Sequence, residues 1–158
     1  TAPAELLNSL VMSNLKPGGL LVAEVPNFGS WQSKWAGNRW LHLDVPRHLS
    51  HFTEESLEKI IDKAGCRVIK KEYYSIHLGL VGMVQSIFTW FGYKGFLIAD
   101  LKENKNWILP FKVLITLPFA ILLESLAVIF KKGGIIRFYA VYEPKAEQTA
   151  DFTKPGLS

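Results

Sequence analysis

The stretch HLDVPRHLSHFT, His42 to Thr53, brings together His42, Asp44, Arg47, His48 and His51. Its pattern H-x-D-x3-H-x2-H offers imidazole and carboxylate ligands of the kinds zinc and iron accept when a loop curls around an ion. Pro46 fixes the backbone in the middle of the stretch and no cysteine adds to the set, so no metal site is expected. An imidazole near its ordinary pKa of about 6.5 is largely free base at neutral pH, which makes the same histidines candidates to take up a proton. Arg47 carries a planar fork of N–H donors suited to phosphate or carboxylate. The plainer reading is a connector, in which Thr53 caps the next helix, Phe52 staples it, and His48 or His51 bonds backbone groups.

A loop of this kind needs elements to hold it. Ala4 to Leu15 carries Leu6, Leu7, Leu10, Val11 and Leu15 at helical spacing and stops at KPGG. Leu20 to Val25, LLVAEV, is a short apolar run between Gly19 and Pro26, the pattern of a strand covered on both faces in a parallel sheet. Asn27 to His51 is loop-rich, with Trp31, Trp35 and Trp40 folding over the sheet edge; Trp40 either packs or lines a pocket. Thr53 then opens a helix that Gly65 closes. CRVIKKEYYSI reads as a second strand and GGIIRFYAVYEPK as a third, ended by Pro144.

The bulk numbers set the frame. With 158 residues, 49% of them hydrophobic and 20% charged, the chain suits one compact domain with a sizeable core. A net charge of +4 spread over scattered lysines does not indicate nucleic acid, and the single Cys66 points to a reducing, cytoplasmic setting. The opening TAPAELLNSL has neither Met nor a basic stretch before an apolar segment, so a fragment or processed piece without a signal peptide is expected.

Between the second and third strands lies an apolar insertion, His77 to Lys132. Its centre, Trp107 to Phe130, has the length of a membrane span and only Lys112 and Glu124 interrupt it. Pro110 and Pro118 argue against one unbroken helix. The first expectation is helices packed against the domain or a second subunit. Peripheral membrane contact and a true span are the alternatives.

LKPGGLLVAEVPN, followed by W-LHLDVPRHLSHFT-ESL---I-KAG, resembles the C-terminal half of class I S-adenosylmethionine-dependent methyltransferases over about Ala4 to Tyr74, closest to a bacterial group acting on small, sugar or lipid-linked molecules. The resemblance implies an α/β fold, the C-terminal half of a Rossmann-like, mostly parallel sheet. Leu20 to Val25 would be strand five, Cys66 to Tyr74 strand six, and GGIIRFYAVYEPK an antiparallel strand seven inserted between them, with the helical apolar insertion separating the last two in sequence. Residues 1–145 would form this partial domain, 77–132 the insertion, and 146–158 a flexible tail.

The implied function is methyl transfer to a hydroxyl or amine on a small or lipid-linked acceptor. His48, His42 and His51 would be candidate bases and Asn27, Trp40 and Arg47 acceptor-side residues, His48 and Arg47 foremost. The cofactor, S-adenosylmethionine, would need a Gly-rich turn that follows a strand and opens a helix. Gly18-Gly19 and Gly133-Gly134 instead precede strands, so this chain alone is expected to bind the cofactor poorly and to be inactive. The neighbour missing beside strand five leaves an open edge, so self-association through that edge or the insertion is expected. A non-catalytic interaction or peripheral membrane module is the alternative.

Overall fold

A computed structural model of the chain describes residues 3–43, 50–103 and 107–144. Asp44, Arg47 and His48, and the expected tail 146–158, lie outside the described residues. In chain order the elements are α1 Pro3–Asn14, β1 Leu20–Pro26, α2 Trp31–Ala36, α3 Glu54–Lys63, β2 Cys66–Glu72, α4 Ile76–Trp90, α5 Leu97–Lys102, α6 Leu109–Ile129 and β3 Ile135–Tyr142. Short 3-10 turns, Gly37–Arg39 and Leu41–Leu43, follow α2. The strands form one sheet in the order β1-β3-β2. β3 runs antiparallel to β2, with Cys66 opposite Tyr142 and Glu72 opposite Arg137. It also runs antiparallel to β1, since Gly18 and Gly19 bond to Tyr142 while Asn27 bonds to Gly134.

The chain divides into two compact units. The first comprises the described residues of Thr1–Glu24, Glu54–Glu72 and Arg137–Ser158. Here α1 packs on α3 and α3 on β2. The alternation of β3 buries Phe138, Ala140 and Tyr142, and Val11, Leu57 and Ile61 are buried on the helices. Gly65, at φ +74°, supplies the left-handed turn between α3 and β2 that a side chain would strain. Charges lace the sheet across its strands: Arg137 Nε donates to Glu24 on β1 at 2.6 Å and its Nη1 to Glu72 on β2 at 3.3 Å. Lys71 reaches Glu54 and Glu58 of α3 at 3.0 and 2.7 Å.

LLVAEV is a strand, but not the doubly covered parallel one its apolar run suggests. Among the described residues β1 is an edge strand paired antiparallel, and Leu20 and Val22 are 53% and 50% exposed. Hydrophobicity alone does not distinguish a strand covered on both faces from one whose second face is left open.

The second unit comprises Val25–Thr53 and Tyr73–Ile136. α4 lies between α2 and α6, and its Met83, Val84 and Phe88 form a core with Leu97, Leu109, Ala120 and Ala127. The expectation that prolines break the apolar segment is corrected: α6 runs unbroken through Pro118. Pro110, in the first turn, gives up an N–H that has no helical partner there. Pro118 forfeits one hydrogen bond on the exposed side, while the opposite face keeps its packing on α4. That packing is one-sided: only 17% of the most apolar 18-residue window is buried. The insertion is therefore helical as expected, but α6 is not covered within the described chain.

Candidate functional site

Immediately after β1 the chain turns at Asn27, which is buried and whose polar groups are engaged. Its backbone N–H donates to Gly134 O at 2.9 Å, its Nδ2 donates to Gly133 O at 3.1 Å, and its Oδ1 accepts from Gly29 N–H at 3.0 Å. This pins the start of the loop to the segment leading into β3. The next residue, Phe28, donates its N–H to Phe52 O at 2.8 Å, which brings the residues just after β1 and the end of the HLDVPRHLSHFT stretch to the same place. Ser30 then caps α2, its hydroxyl accepting from Ser33 N–H at 3.1 Å.

Four rings line this loop in sequence of contact. His51 lies 5.6 Å from Phe28, Phe28 6.1 Å from Trp40, and Trp40 5.3 Å edge-on to His42. The outer end is accessible and the inner end is not: Phe28 is exposed and His51 partly so, whereas Trp40 is 1% exposed and His42 is buried. The Trp40 indole N–H has no hydrogen-bond partner among the described residues.

The backbone sets the tautomers. His42 Nε2 lies 3.1 Å from Leu78 O and His51 Nε2 3.2 Å from Leu43 O. A carbonyl only accepts, so in each ring Nε2 carries the hydrogen and, in the neutral form, Nδ1 is the basic nitrogen. For His51, at the accessible end, that is the arrangement of a general base held by its far nitrogen. His42 has the same arrangement in a buried place.

Sequence reasoning missed a buried polar cluster behind this loop. Gln32 Nε2 on α2 donates to Gly79 O of α4 at 2.6 Å and to Glu124 Oε2 of α6 at 2.7 Å, and Glu124 Oε1 accepts from Gly134 N–H at 3.0 Å. Burial pushes the Glu124 carboxyl above the ordinary range, against the pull of its bonds from Gly134 and Gln32. Glycines make the space: a Cβ on Gly82 would stand 2.3 Å from Gln32 Oε1 and 2.9 Å from His42 Nε2, and one on Gly134 2.5 Å from the Gln32 amide. The available signal was Glu124 itself, since an acid within an apolar helix must find donors if it is buried.

Among the candidates, the fold thus brings Asn27, Trp40, His42 and His51 into one unit. Arg47 and His48 lie outside the described residues. Among the described residues no three of His, Cys, Asp and Glu converge as metal ligands.

Among the described residues, no glycine at positive φ makes a cradle of the kind the resemblance implies for the cofactor. The described glycines at positive φ are Gly18, Gly37, Gly65 and Gly92. Gly18 and Gly65 lead into strands, while Gly37 and Gly92 end helices. None follows a strand and opens a helix, as a phosphate- or nucleoside-cradling turn does.

Residues 2–71 of the chain match the family model described as a methyltransferase domain. No curated protein matches the chain.

Proposed function

We propose, from the premise that residues 2–71 are methyltransferase-domain sequence, that this chain serves S-adenosylmethionine-dependent methyl transfer as the acceptor-side portion of the enzyme. The family match carries the reading. Two features support it: the sheet order β1-β3-β2 with an antiparallel central strand, which is the order the resemblance assigns to strands five, seven and six, and a loop after β1, where ligands approach open α/β sheets. The cofactor's own contacts belong to residues other than those described.

The acceptor is a hydroxyl- or amine-bearing small or lipid-linked molecule. An attacking hydroxyl must lose its proton, and His51, anchored through Nε2–H to Leu43 O, presents Nδ1 for that task; His48 is the second candidate base and Arg47 the candidate anchor for an acidic group. Trp40, His42 and Asn27 support the loop from within.

The test uses the complete reading frame that contains this chain. That protein should bind S-adenosylmethionine in calorimetry and transfer a tritiated methyl group into the small-molecule or lipid extract of its host. His51→Ala should leave cofactor affinity unchanged and lower transfer about 100-fold or more. If the complete protein neither binds the cofactor nor transfers the label, the reading falls and a non-catalytic module replaces it.

A further inference from the structure

We infer that the outer face of α6 docks in the plane of an anionic phospholipid bilayer. α6 spans about 31 Å at 1.5 Å per residue. Its inner stripe, Leu109, Ala120, Glu124 and Ala127, is buried, while Phe111, Leu114, Phe119, Leu122 and Ile129 are all more than half exposed. The turns before it carry Phe91 and Trp107, 86% and 85% exposed, and Trp90 is exposed beside them. So large a contiguous apolar surface marks a contact face, and tryptophans at its margin suit the headgroup boundary.

Charge selects the occupant. Lys94, Lys102, Lys112, Lys131 and Lys132 are exposed in this unit, whereas among the described residues of 77–132 the acids are Asp100, bonded to Tyr93, the exposed Glu103, and the buried Glu124. Two copies placed face to face would set lysines against lysines, while an anionic leaflet answers both the apolar arc and its cations. A groove of about 460 Å³ between the end of α4 and the start of α6, lined by Ile87, Phe88, Phe91 and Leu109, has Lys112 as the one charged lining residue among the described residues. That combination suits an acyl chain with its phosphate at the ammonium. α6 lies flat instead of crossing, because a crossing helix would strip Glu124 from Gln32 and Gly134.

Flotation of the 158-residue chain with vesicles tests this independently of methyl transfer. The chain should float with phosphatidylglycerol-containing vesicles at low salt, not with pure phosphatidylcholine, and the tryptophan emission should shift to the blue on binding. Lys131→Ala with Lys132→Ala should weaken binding about 25-fold, from about fivefold per lysine. Leu114→Glu with Phe119→Glu, at exposed positions, should abolish flotation while circular dichroism and the melt stay those of the wild type. The inference is overturned by failure to float, by equal binding to both vesicle types, by a light-scattering dimer that ignores vesicles, or by retention in the bilayer after alkaline carbonate, which would mean a spanning helix.

Discussion

Glu124→Gln should remove a pH dependence from the stability of the unit that holds α6. The carboxyl is 2% exposed, and burial raises its pKa in the fold although Gly134 N–H and Gln32 Nε2 both favour the ionised form. A raised acid pKa means that the folded chain keeps its proton to a higher pH than the unfolded chain does. Its contribution is therefore fully present below the unfolded value and lost as pH rises through the folded one, at up to about 1.4 kcal/mol per pH unit. With a urea dependence of about 2 kcal/mol/M, that slope moves the unfolding midpoint by about 0.7 M per unit. All five tryptophans, Trp31, Trp35, Trp40, Trp90 and Trp107, fall in this same unit, so their fluorescence reports its unfolding. Urea titrations from pH 4.5 to 7 should show the wild-type midpoint falling relative to that of the variant. The amide mismatch facing Gln32 costs the variant a pH-independent offset of about 1 kcal/mol. Glu72 and Glu143, held low by Lys70 and Arg67, weaken the fold only below this window. Parallel midpoints across the range would refute the reasoning.

Two other substitutions follow from the same unit. Gly133→Ala would put a Cβ 1.9 Å from the Tyr73 carbonyl oxygen, a backbone atom that cannot swing aside, so a loss of about 3 kcal/mol or failure to fold is expected in a thermal melt; a change within about 0.5 kcal/mol would contradict it. Tyr93, whose hydroxyl donates to Asp100, has its pKa pushed up to about 12 by burial first and the carboxylate second. The ultraviolet difference between wild type and Tyr93→Phe should be a wave centred near that value and not near the ordinary 10.

What the sequence disclosed was mostly local. The stop at KPGG, the helix from Glu54 to Lys63 and the alternation of IIRFYAVY are written in residues that act over one or two turns, and each element stands where its pattern places it. The uncovered face of β1 was hidden because exposure of Leu20 and Val22 depends on which elements pack against the sheet, a non-local matter. Pro118 misled because the packing of α6 outweighs one lost hydrogen bond. Within the candidate site, the histidines and Trp40 were legible as types, but their roles turn on distant carbonyls such as Leu78 O and on Gln32 and Glu124, which lie far apart in the chain.

Of the three described strands, the one that joins the other two comes last in the chain. β1 and β2 are complete by Glu72, yet β3, the neighbour they share in the described sheet, is not made until Ile135 to Tyr142. Joining either to β3 therefore carries the entropic expense of closing a long loop. A premature stop ahead of residue 135 consequently deletes the central strand of the described sheet and not its margin.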